Sequence, residues 1–466
     1  MGEAVTAVLE KPPARHSTGA GWLMIATTSA GVINYGYALV LTHGLTPAEY
    51  AAFAAAQALL MVRAAISAAG IPWILARELA KAPGDRARQA AVTTFAFWTN
   101  LVIGLVLTAV VAGGVLLFGT ARDAVVVACA SLCMSVGSTG MGYLQGVGRM
   151  DAIAVLFTTE VVVKAVVGIG LVFWTDLGPT GALAGFVAGS LVLLLPLPRF
   201  QRLLGPPVWR AGESALLRAA IRQTRMQANV AVASAGDTVL VAALGLGGAG
   251  GGPYQAASAL GRVPLFASNA VSTAVFPQLS RDSCAERKAG ALRSYLLVAL
   301  LMTGVLVTLP GEIRSALFPD EFATIGQWLP YAAVLGLAIG AVNLSVTFLQ
   351  ADDSRGTGAH LTLVTAGYLA LVTVAGAVFG VAGLAVGAAV AGVLAVAALA
   401  LLAPVRPGWR ILLRSRRSLH DLAGIVVVFG ALAVAGHPLL WTAIAAGAGL
   451  LVLAASFPEF MPRRRT

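Results

Sequence analysis

The chain has 466 residues, 58% of them apolar and only 11% charged, with a mean hydropathy of +0.85; soluble domains carry about 25% charged residues. No soluble core hides that much apolar surface, so the composition excludes a string of soluble domains and indicates an integral membrane protein with almost no extramembrane domain. Three cysteines (Cys129, Cys133 and Cys284) exclude a disulfide framework and fit an inner or plasma membrane better than a secreted setting.

A hydrocarbon core about 30 Å thick needs ~20 helical residues. Residues 1–19 are polar, with Lys11, Arg15 and His16, and the apolar run that follows has the length of a span rather than of a cleavable h-region. A retained first span with its N-terminus inside is therefore expected. In chain order, fourteen apolar runs lie near 20–41, 50–72, 91–119, 123–145, 152–174, 180–198, 226–246, 254–279, 290–310, 328–350, 360–379, 381–403, 421–436 and 438–457. The last two are short and separated only by His437-Pro438.

The basic residues test this order. With the N-terminus inside, 26 of the 31 fall in inner loops or at the two termini, and the outer loops hold two, Arg122 and Arg314. That is the positive-inside rule, and it makes the net charge of +11 a topology signal rather than a nucleic-acid patch. Both termini are expected to be cytoplasmic.

The chain also repeats. Tyr50 and Tyr254 are 204 residues apart, Pro72 and Pro277 are 205 apart, and Leu144-Gln145 and Leu349-Gln350 are 205 apart. Two parallel six-span copies follow, related by a pseudo-two-fold along the membrane normal. The expected organisation is all-α. A cytoplasmic segment (1–19) leads to an N-lobe (20–198), a cytoplasmic amphipathic linker (199–225) and a C-lobe (226–403); a basic loop (404–420), two extra spans (421–457) and a basic tail (458–466) complete it. The linker, with Leu216-Leu217 ahead of Arg218, Arg222 and Arg225, reads as a short interfacial helix, and the Arg406–Arg417 stretch is similar. Anionic membrane lipids suit both.

Motifs for chemistry are missing. There is no G-x-x-x-x-G-K-[ST] loop, and the G-x-G-x-x-G string at Gly245–Gly250 follows a membrane span rather than a strand. The five histidines stand singly, Cys129 and Cys133 alone make a poor metal site, and Asp352-Asp353 reads as a solvated loop beside Arg355. No catalysis, cofactor or metal is expected.

Away from the run edges, five ionisable residues remain inside: Arg63, Glu160, Lys164, Asp237 and Arg262. Such residues are costly at membrane depth and face a partner or a wet cavity. Glu160 and Lys164 are one helical turn apart and can neutralise one another; Asp237 and Arg262, on consecutive runs, can form a structural pair. Arg63 has no acid within its own or the following run. Gly261 and Pro264 flank Arg262 and are expected to kink its helix. Asn34 lies 203 residues before Asp237 and is its expected repeat equivalent. If the three cations share one chamber, it is mildly positive and suits a phosphate, which arginine grips with its planar fork of donors.

Several stretches carry a resemblance. Asp237-Thr238-Val239-Leu240, then Pro253-Tyr254-Gln255-Ala256-Ala257 and Val275-Phe276-Pro277-Gln278-Leu279-Ser280, resemble the seventh and eighth helices of polysaccharide flippases of the multidrug/oligosaccharidyl-lipid/polysaccharide (MOP) exporter superfamily. Leu45-Thr46-Pro47-Ala48-Glu49-Tyr50 resembles that family's first outer loop, Leu317-Phe318-Pro319-Asp320-Glu321-Phe322 the loop before its tenth helix, and Leu349-Gln350 with Arg355 the exit from that helix. The resemblance implies two six-helix lobes, a central cavity, and export of a polyprenyl-pyrophosphate-linked glycan by alternating access in the plasma (inner) membrane. It implies that Arg63 and Arg262 meet the pyrophosphate or acidic sugars while Asp237 balances or couples charge; the span residues themselves add Lys164 and Asn34 as expected substrate-binding residues and Glu160 as a charge-balancing one. A polysaccharide polymerase or glycosyltransferases are the implied partners. The alternatives are a lipid II flippase, though the first span carries Asn34 and no basic residue, and a cation-coupled multidrug antiporter, which would want acids to dominate the cavity.

Overall fold

The computed structural model describes residues 16–206, 213–248, 250–279, 284–352 and 357–460, and among them there is no β-strand. The expectations for Lys11, Arg15, Arg210, Arg281, Asp282, Asp353, Arg355 and the tail arginines lie outside the described residues. The chain divides into two compact units, residues 1–231 and 232–466. The division falls inside a helix rather than in the 199–225 segment.

Unit 1 holds α1 (His16–Leu41), α2 (Pro47–Ala69), α3 (Ile71–Lys81), α4 (Arg86–Val115), α5 (Ala121–Gly146), α6 (Met150–Trp174), α7 (Gly178–Val192) and the single turn α8 (Leu197–Phe200). Helix α9 (Glu213–Ala243) runs across the boundary. Unit 2 continues with α10 (Gly251–Gly261), α11 (Val263–Leu279), α12 (Ala285–Val307), α13 (Gly311–Leu317), α14 (Ile325–Ala351), α15 (Thr357–Ala400), α16 (Arg406–Arg414), α17 (Arg416–Val434) and α18 (Pro438–Phe460). Nine helical stretches among the described residues are long and apolar enough to cross a membrane. Each of the fourteen expected runs coincides with a helix or with part of a bent one, though only nine stretches meet that criterion outright.

Local chemistry explains where helices start and break. Thr46 caps α2: its hydroxyl accepts from the Glu49 N–H at 3.4 Å and the Glu49 carboxylate accepts from the Thr46 N–H at 2.9 Å, with Pro47 in the first turn. Thr120 and Asp123 repeat the device at α5. Within α15, Gly380 takes φ 65° and ψ −150°, a region open essentially only to glycine, and so separates the runs expected at 360–379 and 381–403. Arg262 separates α10 from α11, because Pro264 cannot donate to the preceding turn. The flanking Gly261 serves a second purpose: a methyl on Gly336 of α14 would strike the Gly261 carbonyl oxygen, so the two backbones meet only as glycines.

The expected short linker helix differs from what is found. Arg218, Arg222 and Arg225 lie on the first turns of the 31-residue α9, whose Leu216, Leu217 and Ala220 pack against Ile71, Leu75 and Phe95. Helix propensity carries the seventh run straight into the basic segment, since arginine is a good helix former. Asp352 is not in a solvated loop either: it pairs with the buried Lys288 at 2.8 Å, and Lys288 also donates to the Pro404 carbonyl. Helices α17 and α18 pack on α12 through Leu297, Leu301, Ile425, Ala448 and Val452, with Arg293 donating to Asp421 at 2.7 Å and the Trp441 indole donating to Thr308 at 3.0 Å.

Candidate functional site

In unit 1 two cations are buried against neutral oxygens. Arg63, on α2, is 1% exposed and donates to the Ser135 hydroxyl of α5. Its Nε is buried with no hydrogen-bond partner among the described residues, and among them no carboxylate lies within ion-pair distance of it. Gly104 of α4 makes room, because a methyl there would strike the Ser135 side chain. The Asn100 amide, one turn away, donates to the Ser135 carbonyl (2.6 Å) and to the Ser138 (2.8 Å) and Thr139 (3.0 Å) hydroxyls, fixing α4 against α5.

Lys164, on α6, is 2% exposed and donates to the Asn34 amide oxygen of α1. Its ammonium lies 4.8 Å from the centroid of the Phe186 ring, a cation–π contact. Glu160 is buried one turn earlier on the same helix, beside Gly189 of α7, yet among the described residues it makes no ion pair with Lys164. The sequence sets Lys164 beside Glu160, and the fold sets its ammonium on Asn34.

Unit 2 closes its charge instead. Asp237, fully buried on α9, takes Arg262 on one carboxylate oxygen at 2.7 Å and accepts from Tyr254 (2.9 Å) and Ser258 (2.7 Å) on the other. Arg262 also donates to the Ser234 carbonyl and the Thr238 hydroxyl, at 2.6 and 2.7 Å. Of the two readings of these residues, the paired one is the arrangement found. The break between α10 and α11 places the guanidinium there. Beside it, the Tyr368 hydroxyl is buried with no partner among the described residues.

The repeat extends to these contacts. Arg63 bonds Ser135; 205 residues on, Ser268 donates to the Gly340 carbonyl at 2.6 Å. Asn34 bonds Lys164; 203 residues after Asn34 is Asp237, and 204 after Lys164 is Tyr368, whose ring faces Gly236. The two units thus differ in chemistry: in unit 1 Arg63 has no carboxylate within ion-pair distance among the described residues and Lys164 rests on a neutral oxygen with the Glu160 carboxylate one turn away, whereas in unit 2 Asp237 and Arg262 form a direct pair. Sequence reading missed Ser135, Asn100, Ser258 and Tyr368, because neutral polar residues in apolar runs do not stand out; the 205-residue offset was the available signal for Ser268 and Gly340.

A polytopic all-α chain with repeated six-helix units and charged side chains held inside its spans has the architecture of a membrane transporter built from parallel repeats. The family model for polysaccharide biosynthesis proteins matches residues 17–282, more than half of the chain, and the chain belongs to that family. No curated protein matches the sequence. Among solved structures, it is similar to a lipid II flippase, MurJ, in an inward closed conformation, with TM-score 0.71 and 16% identity over 94% of this chain and 98% of that one. It is similar to an inward-facing multidrug resistance MATE family transporter, with TM-score 0.56 and 12% identity over 88% and 96%. It is also similar to a mutant of the Vibrio cholerae MATE transporter VcmN, with TM-score 0.54 and 14% identity over 87% and 99%. At these identities the likeness is one of fold.

Proposed function

We propose that the protein moves a polyprenyl-pyrophosphate-linked oligosaccharide from the cytoplasmic to the outer leaflet of the plasma (inner) membrane, by alternating access, for cell-surface polysaccharide biosynthesis. The observation that supports this most is the charge left over in unit 1. Arg63 and Lys164 are both buried in spans and both rest on neutral oxygens; against these two cations unit 1 sets one buried span carboxylate, Glu160, one turn from Lys164, and among the described residues none lies within ion-pair distance of Arg63. Buried cations without counter-ions are costly, and a bound anion offsets that cost. A pyrophosphate supplies the anion, and arginine binds its oxygens in a planar fork. In this reading Arg63 and Lys164, with Asn34, meet the pyrophosphate; Asp237 and Arg262 balance one another and hold the bend between α10 and α11. Membership of the polysaccharide biosynthesis family supports the glycan. The lipid II flippase with a similar fold makes lipid II the second cargo to test, set second by a first span without basic residues.

The test is glycan export from cells carrying Arg63→Ala and Arg63→Lys, with membrane insertion checked by fractionation. Arg63→Ala is expected to slow export by about ten- to a hundredfold, the loss of one charged hydrogen bond worth roughly 1.5–3 kcal/mol, and Arg63→Lys to keep a measurable part. Normal export by an inserted Arg63→Ala protein would remove Arg63 from the site.

A further inference from the structure

Helix α11 carries a feature that the charge pairs do not use. Phe266, Asn269, Thr273 and Phe276 follow one another at spacings of three, four and three residues, one face of a helix. All four are exposed, the two phenyl rings by 45% and 39%. The exposed face of α4, a stretch apolar enough to cross a membrane, is built differently: it carries Val102, Leu105, Val106 and Val110. Within the run expected to cross at 254–279, an outward-turned amide is strongly unfavourable in hydrocarbon, so this face suits water or a polar ligand.

Its amide is also oriented. Asn343 of α14, 8% exposed, spends both amide hydrogens, one on Ser268 Oγ (3.0 Å) and one on Asn269 Oδ1 (2.9 Å). Ser268 in turn donates to the Gly340 carbonyl at 2.6 Å. The network assigns the flip of Asn269: its oxygen turns in to Asn343, and its Nδ2 has no hydrogen-bond partner among the described residues. The Thr273 hydroxyl donates to the Asn269 carbonyl at 2.8 Å, which leaves its oxygen as an acceptor on the same face. In unit 1 the positions 205 residues earlier are Met61, Ala64, Ala68 and Ile71, with no amide and no ring. The feature belongs to one half only.

A fixed amide donor and a hydroxyl acceptor, flanked by two partly exposed phenyl side chains, match a sugar ring, whose hydroxyls need partners and whose C–H faces are apolar. We infer that this face of α11 reads the glycan of the cargo, with Asn269 as the specificity-determining donor to a sugar hydroxyl. The inference rests on the proposed function. A site built to bond a hydroxyl discriminates strongly against a ligand that lacks it.

The test is binding to the full-length protein in nanodiscs. One probe is sugar-free undecaprenyl pyrophosphate. The other is undecaprenyl pyrophosphate carrying N-acetylglucosamine, N-acetylgalactosamine or a hexose, the tightest of the three being used. Wild type is expected to hold the sugar-bearing probe about tenfold more tightly than the bare one. Asn269→Leu and Asn269→Asp both remove the amide donor, and Asn269→Asp keeps the oxygen that Asn343 needs. Each is expected to bind the two probes equally, with Asn269→Leu holding the bare probe as wild type does. A preserved preference in both variants, or equal binding of the two probes by wild type, overturns the inference and leaves the flippase reading standing. Failure of wild type to bind either probe overturns the proposed function and the inference together.

Discussion

Asp237 shows what a buried carboxylate needs in a span. Three donors reach it from α10 and its exit, Tyr254, Ser258 and Arg262; removing Arg262 leaves the carboxylate buried without a counter-ion, and removing Asp237 leaves a half-buried guanidinium on the Ser234 carbonyl and Thr238 hydroxyl. Breaking such a pair costs roughly 3–5 kcal/mol. Asp237→Ala is therefore expected to lower the midpoint of thermal unfolding in detergent more than the double variant Asp237→Asn with Arg262→Gln, which removes both charges; equal losses would show that the pair contributes nothing. If Asp237 also couples an ion, Asp237→Asn blunts the dependence of export on the membrane gradient, and unchanged dependence leaves it purely structural. The five charges were legible because a charge in an apolar run is conspicuous. Their partners were not. Nothing in the run around Lys164 indicates that its ammonium leaves Glu160 for Asn34, 130 residues away, because that choice is made when α1 packs on α6.

At the scale of elements, the breaks were legible and the continuities were not. Gly380 and the Gly261-Arg262-Val263-Pro264 stretch interrupt helices by local backbone chemistry, which a sequence carries openly. The run of α9 through Arg218, Arg222 and Arg225 was hidden, because polar residues at a membrane edge read as a loop while their intrinsic preference is helical. Two substitutions test the packing of these elements. Gly336→Ala drives a methyl into the Gly261 carbonyl and is expected to lower the unfolding midpoint measurably, since neither backbone can yield without shifting α14. Gly367→Ala, where a methyl meets nothing within 4 Å, is expected to leave the midpoint unchanged or raise it slightly. Equal effects of the two would mean that the close approach does not matter to stability.

For the whole molecule, composition and the placement of cations were enough to give an all-α membrane protein in two repeated units. The polar contacts of those units, Arg63 with Ser135 and Ser268 with Gly340, fall at the same 205-residue spacing as the landmarks in the sequence. The orientation is tested by single cysteines in a cysteine-free background: a label that cannot cross the membrane is expected to reach position 176 in intact cells and to reach position 85 only after permeabilisation, and the reverse pattern would invert the topology. The central claim is that surplus positive charge buried in unit 1 selects a pyrophosphate-bearing cargo. Its most direct measurement is translocation in proteoliposomes of two lipids with the same glycan and the same polyprenyl tail, one joined through pyrophosphate and one through an uncharged ether. Wild type is expected to move the pyrophosphate-linked lipid and leave the ether behind, and Arg63→Gln to lose that difference; equal movement of both lipids by the wild-type protein would contradict the claim.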